Sequence, residues 1–284
     1  MPLLLAVLQR TRYVISLGRD LGPGAQSRLL GEAQTAHGQQ ADVLERLLRA
    51  AQVDPGTASN PPDAAASTTA APRPADAGTT ATATATPASR DRRIVTLRSA
   101  LADDVTPGQL RSLAGASAAN LPMLVSLYAE RGAAAMLLGA RVPWPPLAGP
   151  SGADAIGVLG GLRPAVYALE VAAARSSAAE RERYEAALAP LRGLTRQVTE
   201  LAGAAAPVAP LGYGLPGPLT TRAQRTDLVA QALRPLPAAV VAGTGGLAGD
   251  HAALSGSVRL LAEVLRVGHP FGLPVTGFPG MSVP

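Results

Sequence analysis

One stretch of the sequence combines ionisable side chains with a helical spacing that would turn them inward. It runs from Ile156 to Arg175 and reads IGVLGGLRPAVYALEVAAAR. If it forms a helix, Arg163, Tyr167 and Glu170 share one face with apolar residues by the 3.6-residue period. Polar side chains that face a core need partners, and in helical bundles they often mark a binding site. The sequence therefore predicts a structural polar core of Arg163, Tyr167 and Glu170, with Arg163 and Glu170 paired directly or through a neighbour.

A dinuclear iron or manganese centre is one chemistry that a helical bundle can support. It needs several carboxylates and Glu-x-x-His pairs on facing helices. The sequence contains no Glu-x-x-His, and its histidines lie far apart, at positions 37, 251 and 269. Only isolated side chains expected to face inward remain as weak metal-ligand candidates, namely His37, Glu170, Glu185 and Glu263. We therefore predict no catalytic residue, no cofactor and no intact metal site. We interpret His37 as a core histidine, and we expect Arg131 to extend its guanidinium towards the surface.

The composition favours an all-α fold. The 284 residues are 47% hydrophobic but only 3% aromatic, so a core must be built from Ala, Leu and Val, which suits closely packed helices. The chain has no Cys, which excludes disulfides, thiolate catalysis and Cys-based metal sites. The net charge is +5, and the arginines alternate with carboxylates, as in Arg181–Glu182–Arg183. That pattern is typical of solvated helix surfaces, so no specific nucleic-acid partner is expected.

The order of patterns along the chain predicts antiparallel four-helix bundles, arranged as two units or as one eight-helix assembly. The first unit covers residues 1–140 and the second covers residues 150–284, joined by a Pro-rich connection at 140–152. Residues 53–92 are rich in Ala, Thr and Pro, and we predict that they form a disordered linker inside the first unit. Helices are expected at about 3–21, 25–52, 93–115, 121–139, 156–175, 177–203, 222–242 and 248–267.

Prolines and capping residues predict where these helices bend, begin or restart. A proline inside a helix removes a backbone donor, so kinks or restarts are expected at Pro164, Pro190, Pro235 and Pro237. N-caps are expected at Asn120, Thr221 and Asp250, and Ser177 with Glu180 has the spacing of a capping box.

Two motifs in the second half resemble a known family. They are APVAPLGYGLP at 206–216, followed by Thr221 at a helix start, and FPGM at 278–281, with VYA at 166–168 as a third point of similarity. Over about 152–281 the chain resembles an actinobacterial ferritin-like family, domain of unknown function 4439. The resemblance implies a four-helix ferritin-like bundle of the kind often found in lipoproteins or envelope-associated proteins. Where members of that family carry a Glu-His pair before the Tyr of their first helix, this sequence has Leu162–Arg163. The resemblance thus implies a degenerate metal site.

These patterns favour a non-enzymatic ferritin-like structural or interaction protein, associated with the cell envelope. One alternative is a metal-binding ferritin-like oxidoreductase or metal-storage protein, and another is an arginine-mediated binder of nucleic acid or anionic membranes. The partner is unknown; a homo-oligomer or an envelope protein is compatible with the sequence. Because MPLLLAVLQRTRYVISL is not a convincing signal peptide, an envelope location requires a start upstream of Met1, and otherwise the cytoplasm is expected. The first half has the same order of helix hairpins as the second half. We interpret it either as a degenerate copy of the four-helix bundle or as an unrelated helical unit.

Overall fold

The fold is taken from a computed structural model, which describes residues 1–19, 21, 27–57 and 87–282. Within those ranges every regular element is helical and no strand occurs, so the prediction of an all-α fold is confirmed. The helices of the first half are α1 (Pro2–Gly18), α2 (Ser27–Ala50), α3 (Pro87–Asp104), α4 (Pro107–Leu110) and α5 (Leu121–Leu137). Those of the second half are α6 (Gly152–Ala174), α7 (Ala178–Ala202), α8 (Arg222–Leu233), α9 (Leu236–Ala242) and α10 (His251–Gly268).

The predicted linker at 53–92 needs correction at both ends. A short 3-10 turn spans Pro55–Thr57, and α3 already begins at Pro87, six residues before the predicted start. Residues 58–86 lie outside the described residues. The predicted helix over 93–115 is divided, since α3 ends at Asp104 and α4 starts at Pro107 and passes into a 3-10 turn at Arg111–Gly115.

Two of the predicted N-caps form as expected. The Thr221 hydroxyl accepts the Gln224 backbone N–H while the Gln224 side chain accepts from the backbone of Thr221, which is a reciprocal capping box. Asp250 accepts from the backbone N–H groups at the start of α10. Asn120 and Ser177 occupy N-cap positions, but neither makes a side-chain cap hydrogen bond.

The interior prolines have two different outcomes. The predicted helix over 222–242 is broken, because α8 ends at Leu233 and α9 starts at Leu236 next to Pro235. This break confirms the expected restart. Pro164 and Pro190, in contrast, lie inside the continuous helices α6 and α7.

Side-chain contacts join consecutive helices into hairpins. Arg12 of α1 pairs with Glu45 of α2, and the Gln34 side chain reaches the Gly18 carbonyl, so α1 and α2 are antiparallel. Likewise, Glu170 near the end of α6 pairs with Arg192 in α7. One core cluster contains buried residues of both halves, including Leu124 of α5 and Leu261 of α10. The division into two units therefore stays a prediction, while α5 and α10 share a core.

The buried side of α6 is made of small and aliphatic residues. They are Ala155, Val158, Leu159, Leu162, Ala165, Ala168, Leu169, Ala172 and Ala173. This helix is long and apolar enough to cross a membrane, and half of the qualifying window is buried inside the protein, as in the core helix of a globular fold. Arg163, Tyr167 and Glu170, which the sequence placed on the buried face, lie at the edge of this core.

Candidate functional site

The side chains predicted as a polar core lie at the margin of α6. Arg163 is half-buried and donates from Nη1 to the Pro207 carbonyl at 2.6 Å. Tyr167 packs against Tyr213 with ring centroids 5.5 Å apart. Glu170 pairs with Arg192 on the protein surface, with side chains 39% and 57% exposed. Arg163 and Glu170 thus have separate partners, and the two residues do not form one network.

The two charged residues of the described structure that have no exposed surface, Glu130 and Arg131, lie in the first half. Arg131 of α5 has no exposed side-chain surface, and Nη1 donates to Asp104 of α3 at 2.9 Å. Its other terminal nitrogen donates to the Thr11 hydroxyl of α1, and Arg10 also pairs with Asp104. We call Arg10, Thr11, Asp104 and Arg131 the arginine network. The expectation that Arg131 extends to the surface is wrong, because a carboxylate and a hydroxyl at the meeting point of three helices compensate its charge.

Tyr128 adjoins the arginine network on the same face of α5. Its ring lies 5.8 Å from the Arg131 guanidinium carbon. Burial raises the pKa of the Tyr128 hydroxyl above its ordinary value, since the phenolate would lose hydration, and the nearby Arg131 charge opposes that shift.

A second buried group connects α2 and α5 to the C-terminal tail. His37 Nε2 lies 3.3 Å from Glu130 Oε2, and Gln40 Nε2 donates to the same oxygen at 2.8 Å. Gln40 also donates to the Gly277 carbonyl at 3.1 Å. We call His37, Gln40 and Glu130 the glutamate network. The interpretation of His37 as a core histidine agrees with its 2% exposure.

The weak metal-ligand candidates do not converge. His37 is buried beside Glu130, whereas Glu170 pairs with Arg192, Glu185 is exposed on α7, and Glu263 pairs with Arg266. Among the described residues, no three His, Asp or Glu side chains are grouped so that they could hold a metal ion.

One further ion pair fixes α7 to α8. Arg225 donates to both carboxylate oxygens of Glu180, and it also donates to the carbonyls of Leu219 and Thr220. These hydrogen bonds lower the pKa of the Glu180 carboxyl, and the carboxylate raises the pKa of Arg225. The pairing also explains why Glu180 does not complete the capping box predicted with Ser177, since its carboxylate faces a different helix.

A groove on the surface lies between α2, the start of α5 and the C-terminal tail. It consists of two adjoining cavities of about 390 and 360 Å³ that share Val43, Arg46 and Met281. Leu47, Met123 and Phe278 add apolar surface to its walls. We call it the α2–α5 groove. Its volume is in the range of ligand-binding clefts. The cavity next to Leu47 and Met123 is mainly apolar, whereas the cavity next to Gln39 and Asp42 is about half polar.

Sequence reasoning missed the buried residues Asp104, Glu130 and Gln40. For Glu130 there was a usable signal, because it lies within LVSLYAERGAAAML, where apolar and small residues surround both ionisable positions. A helix that is apolar on all sides is buried, so Glu130 and Arg131 must then face the interior. Searches for similar proteins found no matching family model, no matching curated protein and no matching solved structure.

Proposed function

We propose that this chain is a non-enzymatic, ferritin-like structural or interaction protein, associated with the cell envelope, whose former metal positions are degenerate. The observation that carries the proposal is the state of the two buried carboxylates. Asp104 is bound by Arg10 and Arg131, and Glu130 accepts a hydrogen bond from Gln40 and lies 3.3 Å from His37 Nε2. Both acids thus serve internal pairing between helices.

A dinuclear metal centre does not fit these residues. Such a centre in a bundle takes carboxylates from several helices and a histidine from two of them. Here one histidine adjoins one glutamate, and the other buried acid is flanked by two guanidinium groups. A guanidinium remains cationic at all relevant pH values, so the arginine network opposes a divalent cation. Ferritin-like ancestry remains a proposal that rests on the motifs at 206–216 and 278–281.

Metal analysis of protein purified without a His tag tests the proposal. We expect no stoichiometric iron or manganese after growth in metal-supplemented medium, and no oxidation of added ferrous iron above the buffer rate. A sample that holds one or two equivalents of iron or manganese would overturn the proposal. Glu130→Gln is the informative variant in that case, because loss of the metal would locate it at the glutamate network.

The metal-binding alternative has one specific observation in its favour. His37 Nε2, Gln40 Oε1 and Glu130 Oε1 are buried without a hydrogen-bond partner in the described structure. The arginine-mediated alternative has less support, because Arg12, Arg28, Arg49 and Arg192 are paired with carboxylates on the surface. That alternative predicts binding to DNA or anionic vesicles that weakens steeply as salt is raised.

A further inference from the structure

The chain that follows α10 is buried although it has almost no regular structure. After the 3-10 turn His269–Phe271 it contains no further helix up to Ser282, the last described residue. Backbone that is buried outside helices still needs hydrogen-bond partners, and in this segment side chains of other helices supply several of them. We call residues 275–281 the C-terminal strap. Four of its residues are buried, namely Val275, Gly277, Phe278 and Pro279.

Side chains of α2 and α5 bind the backbone of the strap. Gln39 Oε1 accepts the Gly277 N–H at 3.0 Å, and Gln40 Nε2 donates to the Gly277 carbonyl at 3.1 Å. The Ser126 hydroxyl donates to the Pro279 carbonyl at 2.7 Å, and neither Gln40 nor Ser126 has exposed surface. We call Gln39, Gln40 and Ser126 the strap site. Peptide-binding sites obtain affinity from such main-chain hydrogen bonds and specificity from the side chains that they enclose.

The strap contains a turn that its own sequence favours. The Met281 N–H donates to the Phe278 carbonyl at 3.1 Å, and Gly280 has φ +82°, as in a type II β-turn. Proline at the second position of such a turn sets its φ angle in advance, and glycine at the third position accepts the positive φ. The turn therefore presents Phe278, which is 4% exposed in the folded chain, in a largely preformed geometry.

The two glycines of the strap lie too close to the helices for any other residue. A Cβ at position 277 would lie 2.7 Å from the Ala36 carbonyl oxygen, and a Cβ at position 280 would overlap the backbone carbonyl carbon of Pro237. Both obstacles are backbone atoms of helices, which cannot move aside as the end of a long side chain can. The site thus selects a segment with glycine at both positions.

The strap covers buried polar atoms that have no partner. Gln40 connects it to them, because Nε2 donates both to the Gly277 carbonyl and to Glu130 Oε2. Beneath it, His37 Nε2, Gln40 Oε1 and Glu130 Oε1 are buried without a hydrogen-bond partner in the described structure. Such atoms oppose the closed state, since water would bind them once the strap leaves. Their hydration lowers the free-energy cost of opening the site.

We propose that the strap site is a peptide-binding site, which this chain fills with its own strap. Its ligand is a Gly-Phe-Pro-Gly turn, because the site binds the backbone of this turn, encloses its phenylalanine and leaves no room for a Cβ at either glycine. When the strap leaves, the site takes such a turn from a partner protein. This inference rests on the proposed function of an interaction protein and names the chemistry of its partner.

A fluorescein-labelled peptide with the sequence of residues 272–284 tests the site by fluorescence anisotropy. Gly277→Ala in the full chain should displace the chain's own strap, because the new Cβ would overlap the α2 backbone. We expect the wild-type peptide to bind this variant at least about tenfold more tightly than it binds the wild-type chain, whose own strap competes at a high effective concentration. A peptide carrying Phe278→Ala should lose more than about tenfold in affinity.

A second substitution locates the bound peptide. In the Gly277→Ala chain, Ser126→Ala should weaken peptide binding about fivefold, because one buried hydrogen bond is lost. Ser99→Ala is the matched control, since Ser99 is exposed on α3, and it should leave the affinity unchanged. Equal affinities for the Ser126→Ala and Ser99→Ala chains would show that the peptide binds elsewhere, which overturns the inference.

Far-UV circular dichroism and thermal melting show whether the Gly277→Ala chain is folded, and Gly280→Ala replaces it if it is not. Loss of the fold in both variants overturns the inference, since the strap would then belong to the folding core. A folded variant that does not bind the peptide, or that binds it no more tightly than the wild type does, overturns it as well. None of these outcomes changes the metal analysis that tests the proposed function.

Discussion

Arg131 donates from Nη1 to Asp104 Oδ2 at 2.9 Å, and the two side chains are 0% and 6% exposed. The pair joins α5 to α3, and Thr11 and Arg10 extend it to α1. A buried ion pair gives little net stability compared with apolar residues, but removal of one partner leaves an uncompensated charge in the core. We therefore expect the arginine network to add little to the free energy of unfolding, whereas loss of one of its members should lower that free energy strongly.

We expect Arg131→Met to lower the free energy of unfolding by about 3–5 kcal/mol, because Asp104 then keeps only Arg10 as a charged partner. Urea denaturation followed by circular dichroism measures the change. Arg192→Met, which breaks the exposed pair with Glu170, is the control and should cost less than about 1 kcal/mol. The double variant Asp104→Leu/Arg131→Met should be less destabilised than the sum of the single variants. Additive effects would contradict the coupling.

The pairing of Glu180 with Arg225 predicts that the stability of the fold decreases at acidic pH. The hydrogen bonds from Arg225 lower the pKa of Glu180 in the folded state below its unfolded value of about 4.3. A carboxyl with a depressed pKa stabilises the fold fully above the unfolded pKa, and this contribution is lost as the pH falls through the folded pKa. We expect the unfolding free energy of the wild type to decrease more steeply below about pH 5 than that of Glu180→Gln.

Urea titrations at a series of pH values between neutral and acidic conditions measure that difference. Glu182→Gln is the matched control, because it removes a carboxylate from the exposed surface of the same helix. It should leave a pH profile as steep as that of the wild type. Parallel profiles for Glu180→Gln and the wild type would mean that Arg225 does not bind the carboxylate in solution.

The capping box at Thr221 should stabilise the start of α8. We expect Thr221→Ala to cost about 1 kcal/mol, because the Gln224 backbone N–H loses its acceptor. Ser177→Ala at the start of α7 should cost less, since the Ser177 side chain makes no cap hydrogen bond. Thermal melting of the two variants compares them directly. An equal loss at both positions would contradict the difference between the two caps.

These two caps illustrate how far the sequence determines the structure. Thr221 and Gln224 interact within one turn, so their spacing alone predicted the contact. Ser177 and Glu180 have the same spacing, but Glu180 pairs with Arg225, which is 45 residues away in sequence. The partner of Arg131 is likewise a residue of another helix, Asp104. Local patterns therefore predicted the helices and some of their caps, whereas the partners of the buried charges depend on packing between helices.

The orientation of α6 shows a second limit. Ala, Val and Leu occur on nearly every side of this helix, so the 3.6-residue period does not select one buried face. The predicted face contained Arg163, whereas the core takes Leu159 and Leu162 and leaves Arg163 at the margin. The helix is rotated by about one residue from the predicted orientation. Arg163 is therefore not a charge in the core, and it binds the carbonyl of Pro207 in the loop between α7 and α8.

Two helical glycines should respond to alanine in opposite directions. A Cβ at position 132 would lie 2.8 Å from the Trp144 ring and 3.3 Å from the Ala262 Cβ, whereas a Cβ at position 160 meets no atom within 4 Å. We expect Gly132→Ala to destabilise the protein by about 1–3 kcal/mol through overpacking. Gly160→Ala should stabilise it by about 0.5–1 kcal/mol, because alanine reduces the entropy lost on helix formation. Thermal melting of both variants measures the changes, and a stabilising Gly132→Ala would refute the packing of Trp144 on α5.

The contact between Arg163 and Pro207 should determine how firmly the segment Pro207–Leu211, between α7 and α8, is held against α6. Arg163→Ala removes a hydrogen bond of 2.6 Å that lies partly in solvent, which is worth about 1 kcal/mol, or about fivefold in local opening. Limited digestion with chymotrypsin reports this opening, since Leu211 and Tyr213 provide cleavage positions beside the anchor. We expect Arg163→Ala to be cleaved there about fivefold faster than the wild type, with an unchanged melting temperature.

Arg196→Ala, which replaces an exposed arginine of α7, controls for the loss of charge and should be cleaved at the wild-type rate. Equal rates for all three proteins would show that Tyr167 and Tyr213 hold the segment without Arg163.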